Sequence, residues 1–257
     1  MKLLRSAAAL SLATVLAATA TACGGSSEAA ARTDRKPSPA AEKNAGKTSG
    51  EKNVGKTSGE KNVAKDTTTL RQLNKLDETP AKLSDATLIL VDYQNTYTQG
   101  VMELDGWHSA VNNAEALLKR AREAGTPVIH IVDKGYDLKS KAGQIIPALK
   151  PAKGEPVVEK TVPNGFYRTD LAEQVKKAGR KNVIIAGFMT NMCTLFTTQG
   201  AFLNGNNPTV VGNASATRPL PLKGNPNGIP AKQVHEAALA TVQDLYGVVV
   251  SQQSSLN

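Results

Sequence analysis

AVNNAEALLKRAREAGTPVIHIV, residues 110–132, reads as one helix, one turn and one strand. Ala114, Leu117, Leu118 and Ala121 recur at the spacing of a single helical face, with charged residues between them. Ala124-Gly125 closes that pattern as a glycine C-cap closes a helix. PVIHIV at 127–132 follows as an apolar run, too continuous for a strand with one wet face. TLILV at 87–91 precedes the unit and has the same character. The order strand, helix, strand is the signature of a parallel pair joined by a crossover helix.

Four more apolar runs extend the pattern outward: PVVE at 156–159, NVIIAG at 182–187, PTVVG at 208–212 and GVVVS at 247–251. Leu171, Val175 and Ala178 mark a helix over 170–178, again ended by Ala178-Gly179. A third helical pattern runs from Pro230 to Tyr246, with the proline suited to a first helical turn. This alternation predicts one α/β domain over 85–257, with a doubly wound, mainly parallel six-stranded sheet and helices on both faces. Ligands in such folds sit at the carboxyl ends of the strands.

The residues before 85 are of another kind. Lys2 and Arg5, an apolar stretch from Ala7 to Ala18 and the small residues Ala20-Thr21-Ala22 read as a signal peptide over 1–22. The apolar stretch is shorter than the ~20 residues a membrane span needs. Small residues directly before Cys23 resemble a bacterial lipoprotein processing site. That resemblance implies lipidation of Cys23 and an exported protein held at the cell envelope by a lipid anchor alone. Residues 23–84 read as a flexible tether, poor in large apolar side chains. EKNAGKTSG at 42–50 repeats as EKNVGKTSG at 51–59 and, decayed, as EKNVAKDTT at 60–68. Such units bury too little surface to offset their ordering entropy. As a coil the segment spans roughly 40–45 Å. The net charge of +9 is spread along the chain without a dense basic run, which argues against nucleic-acid binding.

Three chemically active side chains fall at strand ends: Asp92 after the first run, Lys160 after the third and Cys193 a few residues after NVIIAG. Taken singly, each has a plainer reading as a helix cap, a surface lysine and a core cysteine. LILVDYQNTY at 88–97, VVEKTVPNGFYRTDL at 157–171 and AGFMTNMCTLFTTQGAF at 186–202 resemble the isochorismatase-like cysteine hydrolases across 86–252. The resemblance implies a triad in which Cys193 is the nucleophile, Asp92 takes its proton and Lys160 lowers the thiol pKa. It implies an oxyanion hole from the Met189 and Cys193 amides, with a cis peptide at Phe188–Met189.

Tyr97 and Phe166 match positions that line the substrate pocket, while Gln94 and Asn95 read as braces of the loop. Arg218 reads either as an anchor for a substrate carboxylate or as a surface arginine. Some relatives bind metal through an Asp-x-His pair, but Gly135 stands where that histidine would follow Asp133. No metal and no cofactor are therefore expected. His130 reads as a satisfied core residue, and His108 and His235 fall in helical segments. The implied activity is cleavage of a small amide, carbamoyl or ureide C–N bond through a thioester. A hydrolase that does not use the cysteine, and a non-catalytic surface lipoprotein binding a small ligand or partner, remain as alternatives. The only partner implied besides the lipid-held membrane is a small-molecule substrate, with homo-oligomer formation left open.

A fatty-acid analogue fed to a bacterial host is expected to label the protein, and Cys23→Ala to abolish the label. A mature chain beginning at unmodified Cys23 overturns the anchor.

Overall fold

The computed structural model describes residues 67–257. The signal, Cys23 and nearly all of the repeats lie outside those residues.

Six parallel strands form the central sheet: β1 (Ala86–Val91), β2 (Val128–Asp133), β3 (Val157–Lys160), β4 (Asn182–Gly187), β5 (Asn207–Val211) and β8 (Val248–Val250). Their order across the sheet is β3-β2-β1-β4-β5-β8. The chain thus starts in the middle, winds to one edge, returns and winds to the other. The expected doubly wound sheet is the one observed, with each apolar run supplying a strand. A short antiparallel hairpin, β6 (Leu220–Leu222) and β7 (Asn225–Ile229), stands apart from it.

The alternation of side chains along the central strands explains why both faces are covered. Leu88 and Leu90 of β1 and Ile184 and Ala186 of β4 enter one core cluster. Ile89, Val91, Val183 and Ile185 enter the other. Every residue of β1 is buried, and Thr87 near its start is the one polar side chain among them. Helix α2 (Trp107–Glu123) covers the first face through Ala110, Val111, Ala114, Leu117, Leu118 and Ala121. Fully burying a leucine such as Leu117 contributes about 1.5–3 kcal/mol. Helices α3 (Leu171–Ala178) and α4 (Leu195–Leu203) cover the second face with Leu171, Val175 and Ala201.

Both glycine stops are as expected: Gly125 and Gly179 take left-handed φ of 66° and 72° at the ends of α2 and α3. Helix α5 covers only Ala231–Thr241 and passes into a wide turn, Val242–Tyr246. Pro230 caps it from outside the first turn, one residue earlier than expected. Among the described residues, no helix is long and apolar enough to cross a membrane.

Packed structure begins before residue 85. The one-turn helix α1 (Leu70–Leu73) has a capping box made by Thr69 and Gln72. The Leu70 amide donates to Asp244 at 3.0 Å, and the buried Arg71 donates to the Leu245 carbonyl at 3.0 Å. The Ala81 amide donates to Thr209 at 2.9 Å, and Leu83 is buried in the core. Isolated apolar residues at 70, 73 and 76 gave no periodicity from which this packing could be read.

Gly187 sits where β4 meets β1. A Cβ there would lie 2.2 Å from the Val91 carbonyl oxygen and 2.6 Å from Val91 Cβ. Both obstacles belong to the central strand pair and cannot swing aside. Gly187→Ala is therefore expected to lower stability by about 1–3 kcal/mol or more, read as a fall in urea midpoint at constant slope. An unchanged midpoint contradicts this account of the strand contact.

Candidate active site

Three adjacent parallel strands and the turn after a fourth deliver the site to one edge of the sheet. Asp92 follows the last residue of β1 and takes a left-handed φ of 51°. That conformation is uncommon for a residue with a Cβ, although aspartate tolerates it better than most. Lys160 is the last residue of β3, and Asp133 is the last of β2, paired with it in register. Cys193 lies in a wide helical turn, Thr190–Thr194, between β4 and α4. The Phe188–Met189 peptide before that turn is cis.

Lys160 Nζ is the centre of the cluster. It lies 2.6 Å from Asp92 Oδ2, 3.2 Å from Asp133 Oδ2 and 3.3 Å from Cys193 Sγ. The lysine and Asp92 side chains are both 0% exposed, whereas Asp133 is 21% exposed. Asp92, Lys160 and Cys193, singled out from three separate segments, are thus brought together. Asp133 is the member missed in the sequence. Its strand-end position was the available signal, but it drew notice only for the absence of histidine two residues on.

The carboxylates and Sγ place potential metal-ligand atoms within 4.8 Å of one another. The Lys160 ammonium already stands among them as a cation, so this donor set does not call for a divalent ion.

Burial pushes the Asp92 carboxyl up to about 6, against the opposing pull of the Lys160 charge. Burial also works to deprotonate Lys160, but the negative charge around it, Asp92 foremost, outweighs burial and holds the ammonium. The thiol departs from expectation. Lys160 does favour the thiolate, yet burial first and Asp92 second push the Cys193 thiol well above its ordinary value. At 4% exposure, the resting sulfur keeps its proton.

The surroundings sort the remaining candidates. Tyr97 is buried, with its ring 5.8 Å from that of Tyr136 in an edge contact. Burial, then the charge of Asp92, push its hydroxyl up, so it stays a neutral phenol beside the triad. Phe166 packs on the core cluster that contains Cys193. Arg218 is not brought to the triad by any hydrogen bond or ion pair among the described residues; it donates to the Pro219 carbonyl at 3.3 Å. Gln94 does brace the loop, donating to the Asp133 and Gly143 carbonyls at 3.1 and 2.8 Å and accepting from the Asp133 amide at 2.8 Å. Asn95 does the same through the Lys141 and Gln144 carbonyls. His130 is paired with Glu155 at 2.9 Å, as a satisfied core histidine should be.

Removing one member of a buried ion pair strands the other, at a cost of about 3–5 kcal/mol. Lys160→Met is expected to lose that much stability, and adding Asp92→Asn to recover at least about 1 kcal/mol of it. Denaturant melts of the two single variants and the double variant check this. Strictly additive losses contradict the coupling.

The isochorismatase domain family matches residues 86–254 of this chain. The crystal structure of an isochorismatase from Pseudomonas putida KT2440 aligns with a TM-score of 0.71 at 39% identity, covering 74% of this chain and 100% of that one. A secreted isochorismatase effector, Isc1, of Verticillium dahliae is 27% identical over 190 residues, which are 72% of this chain and 97% of the effector. Maleamate amidohydrolase of Pseudomonas putida is 26% identical over 191 residues, 66% of this chain and 84% of that enzyme. The matched span runs from the first residue of β1 past the end of β8 and takes in every member of the lysine-centred cluster. This chain belongs to the isochorismatase family.

Proposed function

We propose that this protein is a hydrolase that cleaves a small amide, carbamoyl or ureide C–N bond, with Cys193 as nucleophile. The observation that carries the reading is Lys160 Nζ bridging Asp92 at 2.6 Å and Cys193 Sγ at 3.3 Å in a buried site. A structural cysteine needs neither neighbour. The likeness to maleamate amidohydrolase supports an amide-type bond, and the secreted relative supports export. Lipid attachment at Cys23 stays part of the proposal and places the domain at the cell envelope.

In the reaction Asp92 takes the Cys193 proton as the sulfur attacks the substrate carbonyl carbon. Its raised pKa makes it a stronger base than an ordinary aspartate. The Met189 and Cys193 amides hold the oxyanion. Asp92 returns its proton to the leaving nitrogen, and the C–N bond breaks to leave a thioester. Water then attacks the thioester, Asp92 takes the water's proton and passes it to the sulfur as the C–S bond breaks, and the acid product departs with the thiol restored. Lys160 stays an ammonium throughout. Because the resting thiol is protonated, proton transfer accompanies attack rather than preceding it. Tyr97 and Phe166 supply the pocket wall.

A screen of small amides and ureides for ammonia or amine release, with Cys193→Ala alongside, tests the reading. Turnover is expected to fall roughly 10³-fold or more in the variant. Asp92 works as a base only when ionised, so kcat/KM is expected to fall as pH drops through about 6. Near-normal turnover by Cys193→Ala overturns the nucleophile, and a flat profile from pH 5 to 7 overturns Asp92 as base.

A further inference from the structure

His235 is remote from Cys193 in sequence and has no part in the reaction just described. It nevertheless holds the turn on which that reaction depends. Thr190 opens the turn carrying Cys193 and is 1% exposed. Its hydroxyl oxygen lies 2.8 Å from Nδ1 of His235 on α5. The Thr190 amide donates to the Ala216 carbonyl at 2.9 Å, and Thr217 donates to the Asn191 side chain at 2.6 Å. Two consecutive residues of the turn are thus fastened to the 216–217 segment, and the first of them is also fastened to α5. Within the turn, the Met192 and Thr194 amides donate to the Met189 carbonyl at 3.0 and 3.2 Å. A displacement of Thr190 is therefore passed to both proposed oxyanion donors and to the sulfur.

The chemistry of the pair is specific. Burial first, with Lys232 adding to it and Glu236 opposing, holds the His235 imidazolium below the usual range, so the ring is neutral near pH 7. A neutral imidazole protonated on Nε2 offers Nδ1 as an acceptor, and Thr190 has the hydroxyl to donate.

We propose that His235 is a positioning residue for hydrolysis at Cys193. By accepting a hydrogen bond from the Thr190 hydroxyl it fixes the nucleophile turn, so that the Met189 and Cys193 amides converge and Sγ stays against Lys160. This inference rests on the reading of Cys193 as nucleophile. It also gives the threonine three residues before Cys193 a task distinct from contact with substrate.

His235→Ala and Thr190→Val are each expected to lower kcat by about 10–100-fold, with KM within about threefold, because the turn and not the substrate pocket is loosened. The double variant is expected to be no worse than the poorer single one. His235→Asn keeps a short side-chain acceptor and is expected to recover most of kcat. A merely structural histidine predicts instead that Asn does no better than Ala, or that the two losses multiply; either result overturns the proposal. Iodoacetamide labelling of Cys193, followed by mass spectrometry, makes the same comparison without a substrate. His235→Ala is expected to label about tenfold faster as the turn uncovers the sulfur, and His235→Asn at the parent rate. Equal rates in all three overturn the clamp. Full turnover by Cys193→Ala overturns the nucleophile reading separately, and labelling then still decides whether His235 holds the turn.

Discussion

A fully buried ammonium against a fully buried carboxylate is the constraint on which the rest of this structure depends. Lys160 and Asp92 come from the ends of strands that are not neighbours; β2 lies between them. Two charges taken out of water are tolerable only when each has its counter-charge within contact distance. That requirement fixes how far β1, β2 and β3 can slide against one another, since a shift of one residue would replace Lys160 with Glu159 among carboxylates. Asp133, at the end of the intervening strand, completes the set and leaves one positive group between two negative ones.

The same burial decides how reactive the sulfur is at rest. In water a neighbouring ammonium would be expected to draw a thiol toward its ionised form. Here removal of solvent and the Asp92 charge oppose it, and the proton stays on Cys193. The cluster as described therefore holds its charge on Lys160 and its carboxylates and not on the sulfur. An inert-looking thiol and a competent hydrolytic site are compatible, because a base with a pKa near neutrality stands beside the sulfur.

Much of the fold was legible because it rests on periodicity. The strands at 87–91 and 182–187 are buried on both faces, so no polar residue follows Thr87 and Asn182 at their starts, and Gly125 and Gly179 are needed where a helix must reverse into left-handed φ. The family motifs brought Asp92, Lys160 and Cys193 to attention together, and their assembly follows from the parallel sheet. What escaped reading depends on tertiary partners. Asp133 has meaning only beside Lys160, and Thr190 only beside His235, 45 residues away. Residues 67–84 lack an apolar rhythm and, apart from the buried Ala81 and Leu83, are held by individual polar bonds to Asp244, Leu245 and Thr209. The sign of the thiol shift also escaped, because it is set by the degree of burial.

Helix α1 and the residues after it lie over the opposite edge of the sheet from the triad. A cavity of about 330 Å³ is bounded there by Arg71, Pro80 and Ala81 on one side and by the starting residues of β4, β5 and β8, Asn182, Asn207 and Val248, on the other. The chain therefore joins the domain at one pole while the sulfur sits at the other. A disturbance of the described residues that begin this segment would be borne first by α1 and its bonds to Asp244 and Leu245. The lysine-centred cluster lies outside that path, and such a disturbance reaches it only after this outer fastening has given way.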